Sequence, residues 1–266
     1  MTDENDLLRP QDEVDWMMSM HREPETYEEG LTSTEVDSLI RFYREEELMD
    51  RCSETNYGNI FKFSYYKEDR IFGIIENAVN KLIGTGWKFE SGRFHEQKTN
   101  RWTRIHTDTA AYAPPGLKNM AGLQAWIKEG NNKDLVYIPW RTFLFPLEFA
   151  ETHGASTVLF NQRYYGIESI RWKDYGLNGK YIGEVLNYKE GYNIDDDIYE
   201  KYLKHCTKER LQGLTVHSCY DWKVGGCFEV DSNQIHLGGY LSNPPKMCFI
   251  VRVSYVENKD ENEVEI

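Results

Sequence analysis

Two side chains with metal-binding chemistry stand close together in the segment from Arg104 to Thr109. His106 and Asp108 are separated by a single residue. Residues two apart on an extended chain project to the same side, so this imidazole and this carboxylate point into a common space. They would supply two ligands of the 2-His-1-carboxylate triad that holds non-haem Fe(II) and leaves coordination positions open. The spacing is common by chance, and a third ligand is needed before it predicts a site.

A later histidine can supply that ligand. His236 closes the run Asp231-Ser232-Asn233-Gln234-Ile235-His236, which follows the apolar residues 227–230 and so lies at the end of a short predicted strand. We therefore predict His106, Asp108 and His236 as metal ligands and catalytic centre. The other histidines show no metal-ligand spacing among themselves and are interpreted as structural or exposed; they are His21, His95, His153, His205 and His217.

The last apolar strand carries an arginine that needs an anionic partner. Arg252 and Ser254 share one face of this strand, and a buried arginine without an anion is costly. If residues 234–256 form a hairpin centred on Pro244, Arg252 faces His236 across neighbouring strands. A dianion could then bind the metal at one end and the guanidinium at the other. Lys246 shares the Arg252 face but would lie at the hairpin tip, and it is the second candidate anchor.

Two helices are predicted before this site. Thr32 and Glu35 have capping-box spacing, followed by apolar residues at helical intervals, which predicts a helix that ends near Asp50. A second helix is predicted from about Glu68 to the glycine at position 84, burying Ile71, Ile74, Ile75, Ala78 and Leu82.

From Trp87 onward, short aromatic and β-branched runs alternate with turns, which is typical of a β-sandwich or barrel. The predicted strands are 87–94, 102–108, 141–149, 156–161, 214–220, 227–230, 234–237 and 246–256. Either Thr142 and Leu144 or Phe143 and Phe145 would face the interior. Residues 162–213 interrupt the strands and predict an insertion with a helix over 195–211, which could be a lid, a substrate wall or a surface elaboration.

Composition limits the possible partners. The formal charge of −13 argues against binding to duplex nucleic acid or to an anionic membrane surface. The chain lacks an apolar run that could cross a bilayer and an apolar signal segment at its start, so we expect a soluble, cytoplasmic protein. The cysteines fit free thiols of a reducing compartment; they are Cys52, Cys206, Cys219, Cys227 and Cys248.

The expected organisation is one domain with acidic ends. Residues 1–30 form an acidic arm and residues 257–266 an acidic tail. Residues 31–256 form the domain, with a helical part at 31–86 and a β core at 87–256 that contains the insertion. We leave the oligomeric state open.

Taken together, His106-Thr107-Asp108, the distal His236 and Arg252-Val253-Ser254 resemble the motifs of the 2-oxoglutarate- and Fe(II)-dependent oxygenase superfamily. The resemblance covers about residues 87–256. It implies a double-stranded β-helix (jelly-roll, cupin-like) core with flanking helices, and an enzyme that uses Fe(II), O2 and 2-oxoglutarate, the last anchored by Arg252 and Ser254. The interval between His236 and Arg252 is longer than in many members, so Lys246 stays the second choice of anchor.

The resemblance also implies a reaction. Members couple decarboxylation of 2-oxoglutarate to succinate with oxidation of a substrate C–H bond, and related halogenases lack the carboxylate ligand, so Asp108 favours hydroxylation. Arg104 could contact the substrate, or it could form a salt bridge at the rim. The substrate could be a small molecule or a peptide. The alternative is a jelly-roll module that binds a ligand without oxidising it.

Overall fold

A computed structural model describes residues 21–45, 52–54, 59–63, 71–98, 105–108, 140–149, 155–164, 185–240 and 245–255, with backbone only for 52–54, 59–63, 140, 186 and 255. Several predictions fall outside these ranges: the arm up to residue 20, Arg104, His153, residues 165–184 of the insertion and the tail.

Helix α1 (Ser33–Arg44) begins where the sequence predicts. The Thr32 side chain accepts a hydrogen bond from the Glu35 N–H, and the Glu35 carboxylate accepts one from the Thr32 N–H, which completes the capping box. The predicted end near Asp50 is wrong, because Glu45 already has extended backbone. Glu45 opens an acidic run, and negative charge is unfavourable at a helix C-terminus.

Helix α2 (Phe72–Ile83) begins later than the predicted start at Glu68, with Ile71 at its N-cap. It ends at the predicted glycine, since Gly84 takes a positive φ of 77°. Its buried residues are Ile75, Ala78 and Val79.

Seven of the eight strands predicted from residue 87 onward are present, most of them slightly longer than expected. The described part of the predicted strand 102–108, residues 105–108, forms only an isolated bridge at His106, and residues 102–104 lie outside the described ranges. The described strands are β1 (Glu25–Tyr27), β2 (Cys52–Glu54), β3 (Asn59–Phe63), β4 (Trp87–Gln97), β5 (Trp140–Phe149), β6 (Ser156–Tyr164), β7 (Val185–Leu186), β8 (Val216–Asp221), β9 (Cys227–Asp231), β10 (Gln234–Gly238) and β11 (Lys246–Tyr255). The sequence interpretation missed β1, β2 and β3, which are only three to five residues long.

The strands form two antiparallel sheets. The first has the order β1-β9-β5-β11-β4-β3-β2, and the second has β6 between β10 on one side and β8 and β7 on the other. From β8 onward the chain changes sheet at each step: β8 in the second, β9 in the first, β10 in the second, β11 in the first. This exchange between facing sheets is the connectivity of a jelly roll, and it confirms the predicted mainly β fold with flanking helices.

Side chains of the first sheet alternate between two environments. Phe143 and Phe145 of β5 lie in the core that packs against α1 and α2, together with Phe249 and Val251 of β11. Leu144 instead lies in the space between the sheets, against Phe228. Period-two alternation then places Thr142 on the inward side as well. Of the two sequence alternatives, the one that placed Thr142 and Leu144 in the interior is therefore correct.

The insertion covers the outer face of the second sheet. Leu203 and Leu211 pack against residues of β6 and β10 that point away from the other sheet. The continuous helix predicted over 195–211 is wrong. Asp196–Ile198 forms one α-helical turn, Tyr199–Leu203 is π-helical and Lys208–Leu211 is a 3-10 turn. No helix in the described ranges is both long and apolar enough to cross a membrane.

Candidate metal centre

His106 and His236 are brought together by the backbone. The two residues form an antiparallel bridge in which the His106 N–H donates to the His236 carbonyl (3.0 Å) and the His236 N–H donates to the His106 carbonyl (2.9 Å). Their ring centroids lie 4.3 Å apart. The segment 105–108 thus adds to the edge of the second sheet beside β10, and the sequence separation of the two histidines is closed by strand pairing.

Asp108 completes a group of three possible ligands. Candidate ligand atoms of His106, Asp108 and His236 all lie within 4.8 Å of one another. Asp108 is 5% exposed, and both histidines are partly exposed. This is the arrangement that the two-residue spacing predicts. Among the described residues it is the one group of histidine, cysteine and acidic side chains found with metal-binding spacing.

The tautomer of His236 follows from its backbone contact. Its Nδ1 lies 2.9 Å from the carbonyl oxygen of Gln234, two residues earlier on the same strand. A carbonyl can only accept, so Nδ1 carries the proton and donates it. Nε2 is left with its lone pair available to a metal, as is usual for histidine ligands held by a second hydrogen bond.

The charge of Asp108 is held by its neighbours. Burial alone would raise the pKa of this carboxyl, but its electrostatic interactions, first with Arg252 and then with His236, Arg93 and His106, bring its pKa well below the usual range. Asp108 is therefore a carboxylate at neutral pH, the state that binds metal.

Arg252 reaches this centre, but not through the predicted hairpin. β10 and β11 lie in different sheets, so His236 and Arg252 do not face each other across paired strands, and that prediction is wrong. The chain crosses between the sheets after β10, which local spacing cannot reveal. Arg252 is paired instead with Thr142 of β5 and Ser91 of β4. Its Nη2 donates to Asp108 Oδ1 at 2.7 Å, which is the acidic partner that its burial predicts.

Ser254 is engaged away from the ligands. Its hydroxyl donates to Glu90 Oε1 at 2.6 Å. With Arg252 bonded to Asp108 and Ser254 to Glu90, each member of the predicted Arg-x-Ser anchor already has a carboxylate partner.

Lys246 is not at a hairpin tip, as the sequence interpretation placed it. It pairs with Gln97 of β4 on one side and Phe149 of β5 on the other, and it is 4% exposed. Its ammonium lies 4.5 Å from the centroid of the Trp222 ring, whose Nε1 donates to Thr157 Oγ1. No described residue forms an ion pair with it. Burial lowers the pKa of Lys246 to about 8, so the group is mainly charged at neutral pH.

Two histidines that the sequence interpretation set aside lie near Lys246. Burial lowers the pKa of His95 to about 3 and that of His205 to about 4, and in both cases the charge of Lys246 lowers it further. Both rings are therefore neutral and line a positively charged interior. His95 could have been found from the sequence, because Arg93, His95 and Gln97 alternate along β4 and therefore share one face of the strand. For His205, which belongs to the insertion, we find no such signal.

Comparison with known proteins gives matches among solved structures. No protein-family model matches the sequence, and a search of curated proteins found no match. The chain is similar in structure to 2-oxoglutarate-dependent enzymes. The non-heme alpha ketoglutarate dependent epimerase SnoN from nogalamycin biosynthesis aligns with a TM-score of 0.48 and 10% identity over 92% of this chain and 84% of that one.

Two further structures show the same level of similarity. The viral collagen prolyl hydroxylase vCPH from Paramecium Bursaria Chlorella virus-1, in a 2OG complex, has a TM-score of 0.46 and 11% identity over 89% of this chain and 97% of that one. HygX from Streptomyces hygroscopicus, with nickel and 2-oxoglutarate bound, has a TM-score of 0.46 and 9% identity over 94% of this chain and 89% of that one.

Proposed function

We propose that this chain is an Fe(II)- and 2-oxoglutarate-dependent oxygenase that hydroxylates a C–H bond of its substrate. One observation carries the proposal: two histidines and a buried carboxylate converge within 4.8 Å inside a jelly roll. The ligand set suits Fe(II), because two imidazoles and one carboxylate are the donors of facial non-haem iron sites and leave positions open for other ligands.

The protonation states of these residues suit the binding of such a metal. His236 keeps Nε2 available because its Nδ1 donates to Gln234, and Asp108 is held ionised by the cations around it. When bound, the metal supplies the oxidising chemistry of this class, in which 2-oxoglutarate is decarboxylated to succinate as a C–H bond is oxidised. Asp108 occupies the position that a halide takes in halogenases, which favours hydroxylation.

We propose Lys246, rather than Arg252, as the anchor for the distal carboxylate of 2-oxoglutarate. A buried ammonium without an anionic partner is costly, and a carboxylate would offset that cost. Arg252 already donates to Asp108, whereas Lys246 has no ion-pair partner among the described residues. The sequence spacing ranked these two residues in the opposite order.

The surroundings of Lys246 would favour a bound carboxylate. Trp222 stacks against the ammonium, and Cys248 and Ile250 of β11 belong to the same buried cluster as Trp222 and Leu144. Apolar walls exclude water and strengthen the interaction of a carboxylate with Lys246. The substrate, a small molecule or a peptide, would approach the metal from outside this interior.

Succinate release tests the proposal without knowledge of the substrate. Protein without a histidine tag, given Fe(II), ascorbate and 2-oxoglutarate in air, should release succinate slowly. His236→Ala should release no more than a protein-free control, because one of three protein ligands is lost. Wild-type protein that binds metal but neither binds 2-oxoglutarate nor releases succinate would instead support the ligand-binding module.

A further inference from the structure

The contact between Arg252 and Asp108 links the first sheet to the metal centre. Arg252 Nη2 lies 2.7 Å from Asp108 Oδ1, with the two side chains 11% and 6% exposed. Arg93 Nη2 approaches the same oxygen at 3.9 Å. Both guanidinium groups thus meet one oxygen of the carboxylate, and no contact to Oδ2 is found from the described residues.

An aspartate bound in this way has one oxygen that accepts a hydrogen bond from Arg252 and a second oxygen that is available to a metal. The Arg252 hydrogen bond fixes the rotation of the carboxylate about its side-chain bond, because a charge-assisted bond of this length is directional. A metal would then be bound by the second oxygen alone. Hydrogen bonds from outside the ligand set are a general means of orienting metal ligands.

We infer that Arg252 is a positioning residue of the metal centre, which holds Asp108 in its ligating orientation, rather than a residue that binds the cosubstrate. The inference rests on the proposed function only in requiring that a divalent metal binds at His106, Asp108 and His236. It assigns to Arg252 a role different from the cosubstrate anchor that the sequence pattern implied.

Two effects of Arg252 on metal affinity oppose each other. Its positive charge repels a divalent cation, so removal of the charge alone would tighten binding. Its hydrogen bond orients the ligand, and loss of such a bond typically weakens metal binding about 10- to 100-fold. The sign of the change in a neutral variant therefore separates a positioning role from a merely repulsive neighbour.

The test is anaerobic calorimetric titration of Co(II) into tag-free protein, with no cosubstrate present. Arg252→Gln should weaken Co(II) binding about 10- to 100-fold, and Arg252→Lys should fall between it and wild type, since lysine keeps the charge but not the planar fork. Arg44→Gln is the matched control. Arg44 forms a carboxylate pair of the same 2.7 Å length with Glu148, but on the exposed surface, and its loss should leave Co(II) affinity unchanged.

A second arm separates the metal role from the cosubstrate role. With Co(II) held at saturation for each variant, Lys246→Met should weaken 2-oxoglutarate binding strongly while its own Co(II) affinity stays at the wild-type value. Arg252→Gln should instead weaken Co(II) binding and leave the affinity for 2-oxoglutarate at the wild-type value. If Arg252→Gln does not fold, as judged by circular dichroism, Arg252→Lys carries the test alone.

The possible failures are distinguishable. Wild-type Co(II) affinity equal to that of His106→Ala would remove the metal centre and the proposed function with it. Normal wild-type binding with unchanged or tighter binding in Arg252→Gln would overturn this inference and leave the proposed function standing. Loss of 2-oxoglutarate affinity alone in Arg252→Gln would return Arg252 to the role of anchor.

Discussion

Lys246 carries a charged group in a buried environment, which is unfavourable in the free protein. The residue is 4% exposed, and its ammonium lies against the Trp222 ring but contacts no carboxylate among the described residues. Burial lowers its pKa to about 8. A group in this state is poised to bind an anion, and the protonation state of Lys246 should control that binding.

The affinity for 2-oxoglutarate should therefore fall as the pH rises through about 8. Only the protonated ammonium attracts the carboxylate, and its population drops about tenfold per pH unit above the pKa of the free protein. Calorimetry of Co(II)-loaded protein between about pH 7 and about pH 9 measures this. Lys246→Arg keeps its charge throughout this range and should remove the dependence. A wild-type affinity that stays constant across the range would contradict the assignment.

Lys246→Met should stabilise the protein free of metal and cosubstrate. The change removes a buried charge and keeps a flexible apolar side chain of similar length, so the free energy of unfolding should rise by about 1 to 3 kcal/mol. Urea denaturation of both proteins with a metal chelator present gives the difference. A variant less stable than wild type would show that the ammonium has a partner that stabilises it.

Single residues were predictable to different degrees. His106 and Asp108 could be found because period-two spacing on an extended segment is a local property. His236 could be found because it lies in a short strand that the local pattern predicts, which is β10. The ranking of Arg252 and Lys246 as candidate anchors could not be predicted. It depends on which sheet receives the strand after residue 244, and spacing alone does not carry that information.

At the scale of elements, helix α1 shows what local signals determine. Its start at Ser33 follows from Thr32 and Glu35, whose side chains and backbone groups bond reciprocally. Its end was predicted wrongly from helical periodicity, although the acidic run that opens at Glu45 disfavours continuation of the helix. The continuous helix over 195–211 was also predicted wrongly, since periodicity alone does not determine the extent of a helix that is stabilised mainly by tertiary packing.

Thr32→Ala should lower the free energy of unfolding by about 1 kcal/mol, because the Glu35 N–H loses its acceptor and the Glu35 carboxylate loses the Thr32 hydroxyl. Thr34→Ala, in the first turn of the same helix, is the control and should have a much smaller effect. Urea denaturation measures both. Equal effects of the two substitutions would mean that the cap does not stabilise the folded protein.

At the scale of the whole molecule, one buried arginine joins the N-terminal strand to the β core. Arg141 of β5 is 3% exposed and donates to Glu229 at 2.5 Å and to Asp231 at 2.7 Å. Asp231 also accepts from the Arg22 backbone N–H and contacts the His21 ring. Residues 21–27 are thus held against β9, and sequence analysis, which assigned residues 1–30 to an acidic arm, missed this contact. The partners are too far apart in sequence for any local pattern to pair them.

Arg141→Met should destabilise the protein by about 3 to 5 kcal/mol, because two buried carboxylates lose their shared cation. Arg44→Gln, which breaks an exposed pair, should cost less than about 1 kcal/mol. The comparison by urea denaturation is direct, since each change removes one arginine. A loss below 1 kcal/mol for Arg141→Met would mean that the network contributes little to holding the arm.

The fold class was predictable because alternating strands and turns are local features, whereas the exchange of strands between the sheets is not. That exchange brings His236, from the second sheet, near Asp108 and, through Asp108, near Arg252 of the first. The site is thus a property of the whole jelly roll, and it should act as one unit when metal and cosubstrate bind.

The measurement that tests this unit most directly is the visible absorption of the protein under nitrogen after addition of Fe(II) and then 2-oxoglutarate. Wild-type protein should develop the weak charge-transfer band of 2-oxoglutarate chelated to Fe(II). His106→Ala should not develop the band, and Lys246→Met should require far more 2-oxoglutarate to reach it. Absence of the band in folded, iron-loaded wild-type protein would contradict the oxygenase assignment.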